Sequence, residues 1–314
     1  MGQRPISLQD RVAVITGAGR GLGLAYAVEM AGRGAAIVVN DIDATCADEV
    51  VSTITEQGGI AIASYDDVST PDGGAALVAS ALARFGKLDV VVNNAGILRN
   101  GFFEDLSLEE IEAVLRVNLA SAFYVTQPAW RIMKDLRYGR VVMTSSSTGL
   151  FSHGGAANYA ATKAGLYGLT KALAFEGQDF GVRVNAVLPW ATTTIAAGNP
   201  VPGHVENWRR LCGPDVPPDD PRRSPELMAH LVAYLASDHC TTTGEAFSVC
   251  RGRYGRVFAG VADGWSAEDP SNVTAEQVEE HVDQIRDIGR HTVPMWVFDE
   301  VRTVVEPLVT HARG

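Results

Sequence analysis

Residues 1–190 alternate short, nearly all-apolar runs with segments of helical character. Such runs are typical of strands in a parallel sheet that is covered on both faces. Their alternation with helices indicates βαβ units, and therefore an α/β fold: a doubly wound parallel sheet (Rossmann fold) with helices on both faces. The predicted strands are RVAVITG from Arg11, AAIVVND from Ala35, GIAIASYD from Gly59, LDVVVNNAG from Leu88, RVVMTSS from Arg140, VRVNAVLPW from Val182 and GEAFSVC near residue 247.

The clearest helical segment is SLEEIEAVLRVNLASAFYVTQPAWRIM, which follows the fourth strand. Ser107 and Glu110 have the spacing of a capping box, and apolar residues then recur at helical intervals. Asn118 lies in the middle of this segment. Asparagine is an indifferent helix former, so its position on an apolar stretch calls for a reason.

The last third of the chain is less regular. Residues 195–225 are rich in proline, glycine and charge, which predicts a long loop that serves as a substrate loop or lid. We assign residues 251–314 to a C-terminal helical extension packed on the main domain or on a neighbouring subunit. In it, YGRVFAGVADGW is interpreted as a hairpin, TAEQVEEHVDQIRDI as a capped helix, and VFDEVRTVVEPLV as a shorter helix that ends near Pro307.

The composition limits the kinds of partner. Of the 314 residues, 46% are hydrophobic and 20% charged, and no apolar run reaches the length of a membrane span. The net charge of −11 argues against a nucleic-acid surface. The N-terminus lacks the pattern of a secretory signal. Cys46, Cys212, Cys240 and Cys250 form no CxxC pair and have no histidine at ligand spacing, which predicts free thiols, no metal and a cytoplasmic location.

The glycine-rich segment TGAGRGLG, from Thr16 to Gly23, lies between the first strand and the helix that follows it. Glycines let the backbone turn tightly and approach a pyrophosphate, and the helix N-terminus offers it free N–H groups. Many loops are rich in glycine, but here both the strand and the helix are present. We therefore predict that Gly17, Arg20, Gly21 and Leu22 contact a dinucleotide.

Asp41 ends the second strand, at the position where an acidic side chain accepts hydrogen bonds from the adenosine ribose. Its charge would repel the 2′-phosphate of NADP, whereas Arg20 would attract it. Asp41 is the more direct discriminator, so we predict NAD, with NADP and a merely solvated Asp41 as the alternatives. In NNAG, residues 93–96, the small side chains of Asn94, Ala95 and Gly96 allow a cofactor to lie over the sheet edge; the alternative is a tight turn.

Tyr159 and Lys163 lie one helical turn apart. Tyr159 follows Ser146, at the end of the fifth strand, by thirteen residues. The pair alone is compatible with an ordinary helix face. A phenol has a pKa of about 10 and is a poor acid or base at neutral pH, but a nearby ammonium lowers that pKa. With Ser146 to bind a substrate oxygen, the set predicts general acid–base chemistry at a carbonyl while a cofactor moves a hydride.

TGAGRGLG, NNAG, Ser146 and the YxxxK of Tyr159 and Lys163 occur in this order, and together they resemble the short-chain dehydrogenase/reductase family over about residues 8–250. The resemblance implies that Tyr159 is the acid/base and that Lys163 lowers its pKa and holds the nicotinamide ribose, so that both contact the cofactor. It also implies that Ser146 orients the substrate and that Asn118 anchors a water of a proton relay.

The resemblance extends to cofactor contacts elsewhere in the chain. It implies that Asp67 and Val68 contact adenine, and that Pro189, Thr192 and Thr194 close on the nicotinamide carboxamide. The chain departs from the family at one point, because Trp190 follows Pro189 where the family usually has glycine. An indole at this position would reshape the nicotinamide pocket.

Within the family, VVND, VVNNAGILR, AWRIMKDLRYGRVVMTSSS and ANYAATKAGLYGL resemble the NAD-dependent 3-hydroxyacyl-CoA dehydrogenase domain of peroxisomal multifunctional enzymes and their bacterial relatives. This implies oxidation of a secondary alcohol, either a 3-hydroxyacyl-CoA or a steroid-like substrate, by residues 1–250 as one catalytic domain. The alternatives are an NADP-dependent ketoacyl reductase and a non-catalytic dinucleotide-binding protein. The resemblance also implies a homo-oligomer, a tetramer or a dimer.

Overall fold

The computed structural model describes residues 5–191, 206, 210 and 221–302. The chain forms two compact units, Met1–Arg256 and Val257–Gly314. Most of the predicted lid, residues 195–225, and the end of the last predicted helix lie outside the described residues.

The larger unit is built on one eight-stranded sheet with the order β3-β2-β1-β4-β5-β6-β7-β8. Adjacent strands from β3 to β7 are parallel, with Val14 opposite both Val38 and Val91. The order reverses between β1 and β4, which confirms the predicted doubly wound α/β fold. The strands are β1 (Val12–Thr16), β2 (Ala36–Asn40), β3 (Ile60–Ser64), β4 (Val90–Asn93), β5 (Gly139–Thr144), β6 (Val182–Trp190), β7 (Ala246–Cys250) and β8 (Arg253–Val257).

Helices cover both faces of the sheet. On one face α1 packs against α8, and on the other α3 packs against α5 while α7 lies on β5 and β6. The α-helices with described bounds in this unit are α1 (Gly21–Gly32), α2 (Ala44–Glu56), α3 (Pro71–Phe85), α4 (Leu108–Leu115), α5 (Ser121–Leu136), α6 (Ser147–Phe151), α7 (Ala157–Gly177) and α8 (Pro225–Ala236). None of the helices in the described ranges combines the length and hydrophobicity that a membrane span requires.

The central strands owe their stability to burial on both faces. Every residue of β1, β4 and β5 is buried, as their largely apolar sequences predict. Among the largest buried side chains are Tyr26 and Met30 of α1, which lie in the same apolar core as Ile15 and Val92. The core thus fixes where the carboxyl ends of the strands lie.

The long helical segment after β4 is not one regular helix. The Ser107 hydroxyl accepts from the Glu110 backbone N–H and the Glu110 carboxylate accepts from that of Ser107, so the predicted capping box is confirmed. Between α4 and α5, residues Arg116–Ala120 form a π-helical turn. Single π-turns inside α-helices are rare and are concentrated at functional sites, and Asn118 lies at the centre of this one.

The C-terminal region differs in part from the prediction. The predicted hairpin in YGRVFAGVADGW is wrong, because β8 joins the main sheet and Val261–Ala262 pairs instead with His291–Thr292. The predicted capped helix begins with a capping box at Thr274 but divides into Ala275–Glu280 and Val282–Arg286. A last helix begins at Val297 and continues to the limit of the described residues.

A glycine allows α3 and α5 to approach closely, and this generates a stability prediction. A Cβ built on Gly74 would lie 2.5 Å from the backbone oxygen of Tyr124. We expect Gly74→Ala to lower the free energy of unfolding by roughly 1–3 kcal/mol. The atom that the new methyl group would meet belongs to the backbone, which cannot move aside as the end of a flexible side chain can. Urea denaturation would measure this change.

The matched control is Gly32→Ala in α1, where an added Cβ meets no atom within 4 Å. Alanine is the better helix former, so this variant should be neutral or more stable by up to about 1 kcal/mol. Equal effects at the two glycines would contradict the close-approach explanation.

Candidate active site

The glycine-rich loop leaves β1 at its carboxyl end and enters α1 at Gly21. Gly17 has a φ of +60°, a region that favours glycine, and a Cβ built on it would lie 2.8 Å from the Ala95 Cα. A Cβ on Gly23 would lie 2.3 Å from the Gly17 oxygen. The loop therefore needs these glycines for its own packing, and they bring its backbone N–H groups to the start of α1, where a pyrophosphate is favoured.

Side-chain hydrogen bonds fix this loop to the segment that follows β4. The Thr16 hydroxyl accepts from the backbone N–H groups of Asn94 and Ala95, both at 2.9 Å. The Asn94 amide donates in return to the backbone oxygens of Thr16 and Gly17, both at 3.0 Å. The two predicted cofactor segments are thus one connected surface at the point where the strand order reverses.

Asp41 lies beside the glycine-rich loop, directly after β2. One of its carboxylate oxygens accepts from the Gly19 backbone N–H at 3.0 Å, and the other accepts from that of Asp43 at 3.0 Å. The Arg20 guanidinium forms an ion pair with the Asp43 carboxylate, with a nitrogen–oxygen distance of 2.6 Å. The backbone N–H of Cys46 lowers the pKa of Asp43, and Arg20 lowers it further.

The remaining predicted cofactor residues are only partly described. Asp67 is exposed and its carboxylate accepts from the Ser69 backbone N–H, whereas Val68 beside it is buried. Pro189 and Trp190 are the last residues of β6, and the Arg223 guanidinium lies 4.7 Å from the centre of a Trp190 ring. Thr192 and Thr194 lie outside the described residues.

The π-helical turn directs Asn118 into the protein, where it is almost fully buried. Its side-chain oxygen accepts from the Ile97 backbone N–H at 2.7 Å, and its amide donates to the Ile97 oxygen at 2.9 Å. A Cβ built on Gly96 would lie 3.5 Å from that side-chain oxygen and 3.7 Å from the Lys163 Nζ. Asn118, Gly96 and Lys163, which are far apart in sequence, therefore meet at one place.

Lys163 is buried and held at both ends. Its Nζ donates to the Thr144 oxygen at 2.7 Å, and its own backbone oxygen accepts from the Ser145 hydroxyl at 2.6 Å. Burial lowers the pKa of Lys163 to about 8. The ammonium is thus anchored to Thr144, the last residue of β5, which directly precedes Ser145 and Ser146.

Tyr159 lies one turn before Lys163 on α7, with the Lys163 Nζ 5.5 Å from the centre of its ring. Burial raises the pKa of the Tyr159 phenol, and a hydrogen bond with Ser146 lowers it. For the chain by itself, the loss of solvent around the phenol outweighs the Ser146 hydrogen bond, and the Lys163 Nζ donates to Thr144. That Lys163 lowers the pKa of Tyr159 stays a prediction.

Sequence analysis missed several residues that hold this arrangement. The amide of the buried Asn158 donates to the Arg99 backbone oxygen at 2.8 Å, and its side-chain oxygen accepts from the Tyr159 backbone N–H at 2.7 Å. The sequence prediction named Ser146 and missed Ser145, whose hydroxyl donates to the Lys163 backbone oxygen. A polar residue directly before the tyrosine was the available signal for Asn158, whereas nothing local distinguishes Ser145 from its neighbours.

The arrangement fits a dinucleotide better than a metal. In the described ranges, no three histidine, cysteine or acidic side chains come together as metal ligands would. The glycine-rich loop is shaped by close backbone approach, Asp41 lies beside it, and the reactive side chains gather at the same sheet edge. Open α/β sheets bind ligands there, at the point where strand order reverses.

Comparison with known proteins agrees with this geometry. The family model for short chain dehydrogenases matches residues 11–201. A short-chain type dehydrogenase/reductase of Mycobacterium tuberculosis is 40% identical over 85% of this chain and 91% of its own length. An acetoacetyl-CoA reductase of Shinella zoogloeoides is 34% identical over 78% of this chain and 99% of its own.

A solved structure extends the similarity to nearly the whole chain. The full-length peroxisomal multifunctional enzyme type 2 of Drosophila melanogaster matches 97% of this chain with a TM-score of 0.77 and 31% sequence identity. The match covers 50% of that chain, and the match to the mouse enzyme of the same name covers 40% of the mouse sequence.

The buried Lys163 generates a prediction about stability and pH. The unfolded chain keeps this proton up to its ordinary pKa of 10.5, whereas the folded chain releases it near 8. Between these values the unfolded state binds more protons, so the Lys163 contribution to the free energy of unfolding rises with pH.

We expect Lys163→Met to lack this rise. Between about pH 7.5 and about pH 9.5, the stability of the native protein should gain roughly 2 kcal/mol relative to the variant. Urea denaturation at the two pH values measures the difference, with Lys134→Met as the control lysine outside the site. Parallel changes in the native protein and Lys163→Met would refute the assignment.

Proposed function

The chain belongs to the short-chain dehydrogenase family and is an oxidoreductase that acts on CH–OH groups, and on that premise we propose that it oxidises a secondary alcohol with NAD. The observation that carries the proposal is the meeting of Asn118, Lys163 and Gly96 beside Tyr159 and its Ser146 hydrogen bond. These groups lie at the carboxyl end of β5, next to the glycine-rich loop.

We assign the proton chemistry to Tyr159. The Tyr159 oxygen takes the proton of the substrate hydroxyl during oxidation and returns it during reduction. Ser146 donates a hydrogen bond to the same substrate oxygen and orients it. When bound, NAD would supply the acceptor for the hydride that leaves the carbon bearing this hydroxyl. Lys163 holds a positive charge near the phenol and binds the nicotinamide ribose, and a water beside Asn118 passes the proton onward.

Binding of NAD is assigned to three sets of residues. Gly17, Arg20, Gly21 and Leu22 contact the pyrophosphate, and Asp41 binds the adenosine ribose. Further contacts are assigned to Asp67, Val68, Asn94, Ala95, Gly96, Pro189, Thr192 and Thr194. The preference for NAD over NADP is supported by the position of Asp41 at the loop and by the pairing of Arg20 with Asp43, which leaves less positive charge for a 2′-phosphate.

A 3-hydroxyacyl-CoA is the substrate that we propose. The name of the Shinella relative, an acetoacetyl-CoA reductase, supports a CoA thioester with an oxygen at the third carbon. The sequence resemblance to the 3-hydroxyacyl-CoA dehydrogenase domain of peroxisomal multifunctional enzymes supports the same substrate class. Reductases among the relatives support the second candidate, an NADP-dependent ketoacyl reductase. Titration with both cofactors separates the two.

We also propose that the chain works as a homo-oligomer in the cytoplasm, a tetramer or a dimer. Support comes from large apolar side chains exposed on α4 and α5, among them Leu108, Leu115 and Phe123. We propose residues 1–250 as the catalytic domain, 195–225 as its lid and 251–314 as an appendage.

Removal of one hydroxyl tests the catalytic role of Tyr159. We expect Tyr159→Phe to lower kcat for alcohol oxidation by roughly a thousandfold, the scale of a lost general base, while NAD still binds. Nicotinamide absorbance measures turnover, and fluorescence titration measures the Kd of NAD. Tyr167→Phe, on the same helix, is the control. Turnover that survives in Tyr159→Phe would rule out the assignment.

A charge removal tests the choice of cofactor. We expect Asp41→Ser to raise the Kd of NAD by about tenfold or more, the value of a hydrogen bond to a charged group, and to lower the Kd of NADP. Asp135→Ser removes the same charge from the exposed end of α5 and should change neither constant. If the ratio of the two constants is the same in the native protein and Asp41→Ser, Asp41 does not select the cofactor.

A further inference from the structure

Three large aromatic side chains are exposed close to the catalytic residues. Phe102 is 49% exposed, Phe103 75% and Phe151 69%. A phenylalanine left in water forgoes the free energy that burial of its large apolar surface would give. Apolar side chains that are exposed singly need no explanation, but a group of them beside a site marks a surface for a ligand or a protein.

The segment that carries Phe102 and Phe103 is fastened to the catalytic helix. Asn118 holds Ile97, Asn158 of α7 holds Arg99, and the Gly101 backbone N–H donates to the Gly155 oxygen at 3.1 Å. Gly101 also forms a bridge with Ala156, immediately before α7. Phe102 and Phe103 follow directly, so their position is fixed relative to Tyr159.

Phe151 lies in the segment that leads from Ser146 to α7. It ends α6, the short helix that begins directly after Ser146, and it lies four residues before Gly155. Ser152 follows it with a φ of +45° and a ψ of 175°, a conformation that is unfavourable for a residue with a side chain. The Ser152 backbone N–H nevertheless donates to the Thr148 oxygen at 3.0 Å and closes the helix.

We propose that Phe102, Phe103 and Phe151, the phenylalanine rim, bind the hydrocarbon chain of the substrate. This inference rests on the proposed function. Phe151 ends the short helix that Ser146 begins, and Phe102 and Phe103 follow the residue that is bonded to the start of the Tyr159 helix. An extended molecule with an oxygen at one point and an apolar chain beyond it would match this placement. The substrate class is therefore acyl thioesters with medium or long chains rather than short ones.

Binding without turnover tests the rim. Butyryl-CoA and decanoyl-CoA lack the hydroxyl that reacts, so isothermal titration of the NAD-loaded protein measures their Kd values directly. We expect decanoyl-CoA to bind about tenfold or more tightly than butyryl-CoA, because part of its additional methylene surface is buried. The ratio of the two Kd values should fall by about threefold in Phe103→Ser and by about threefold in Phe151→Ser. In the variant with serine at all three positions, the two thioesters should bind equally.

Leu136→Ser is the control, because Leu136 is 48% exposed at the end of α5, before β5 begins, and so at the opposite edge of the sheet. It should leave the advantage unchanged. Equal affinity for the two thioesters in the native protein, or an advantage that survives in the triple variant, would overturn the proposal. So would serine variants that change only the sedimentation coefficient, because the rim would then be a contact between copies of the chain.

Turnover separates this proposal from the proposed function. Oxidation of 3-hydroxybutyryl-CoA and 3-hydroxydecanoyl-CoA is measured in parallel on the native protein. If neither is oxidised but decanoyl-CoA still binds preferentially, the proposed substrate is wrong and the rim stands as a site for apolar chains. If both are oxidised and decanoyl-CoA has no advantage in binding, the rim is wrong and the proposed function stands.

Discussion

The hydrogen bond from the Lys163 ammonium to the Thr144 oxygen is the interaction on which the site depends. A buried ammonium is costly unless it is bonded, so the group stays where this carbonyl and the nearby amide of Asn118 allow it. The bond joins α7 to the end of β5, and it places Tyr159 one turn away, beside Ser146. It therefore joins the helix of Tyr159 and Lys163 to the strand end beside Ser146, together with the bond from the Ser145 hydroxyl to the Lys163 backbone oxygen.

A second constraint acts on the segment that follows β4. Thr16 and Asn94 bind its beginning to the glycine-rich loop, Asn118 binds its middle, and Asn158 and Gly101 bind its end to the start of α7. One strand connection therefore touches the cofactor loop, the π-helical turn and the catalytic helix. This explains why the helix after β4 gives up regular α-helical bonding at Asn118: the turn directs a polar side chain inward, where the connection needs partners.

Local patterns were sufficient to predict the strands and the catalytic helix, because buried parallel strands require apolar runs and the Tyr159–Lys163 spacing requires one helical turn. The same reasoning failed where distant contacts decide. YGRVFAGVADGW has the composition of a hairpin, but the edge of the main sheet and residues 291–292 offered its two strands other partners. The burial that raises the pKa of Tyr159 likewise comes from the packed fold, and a spacing of four residues does not contain it.

The surroundings of Arg20 illustrate how contacts in the fold change what a single residue indicates about cofactor choice. Arg20 in the glycine-rich loop favours a 2′-phosphate when the sequence is considered alone. In the fold, Arg20 meets Asp43, whose backbone position is fixed by its hydrogen bond to Asp41, and Asp41 in turn accepts from Gly19 of the same loop. Arg20 is therefore paired with a partner that Asp41 itself positions. Selectivity at this site is a property of the connected group, since a change at Asp41 would also alter the partner that restrains Arg20.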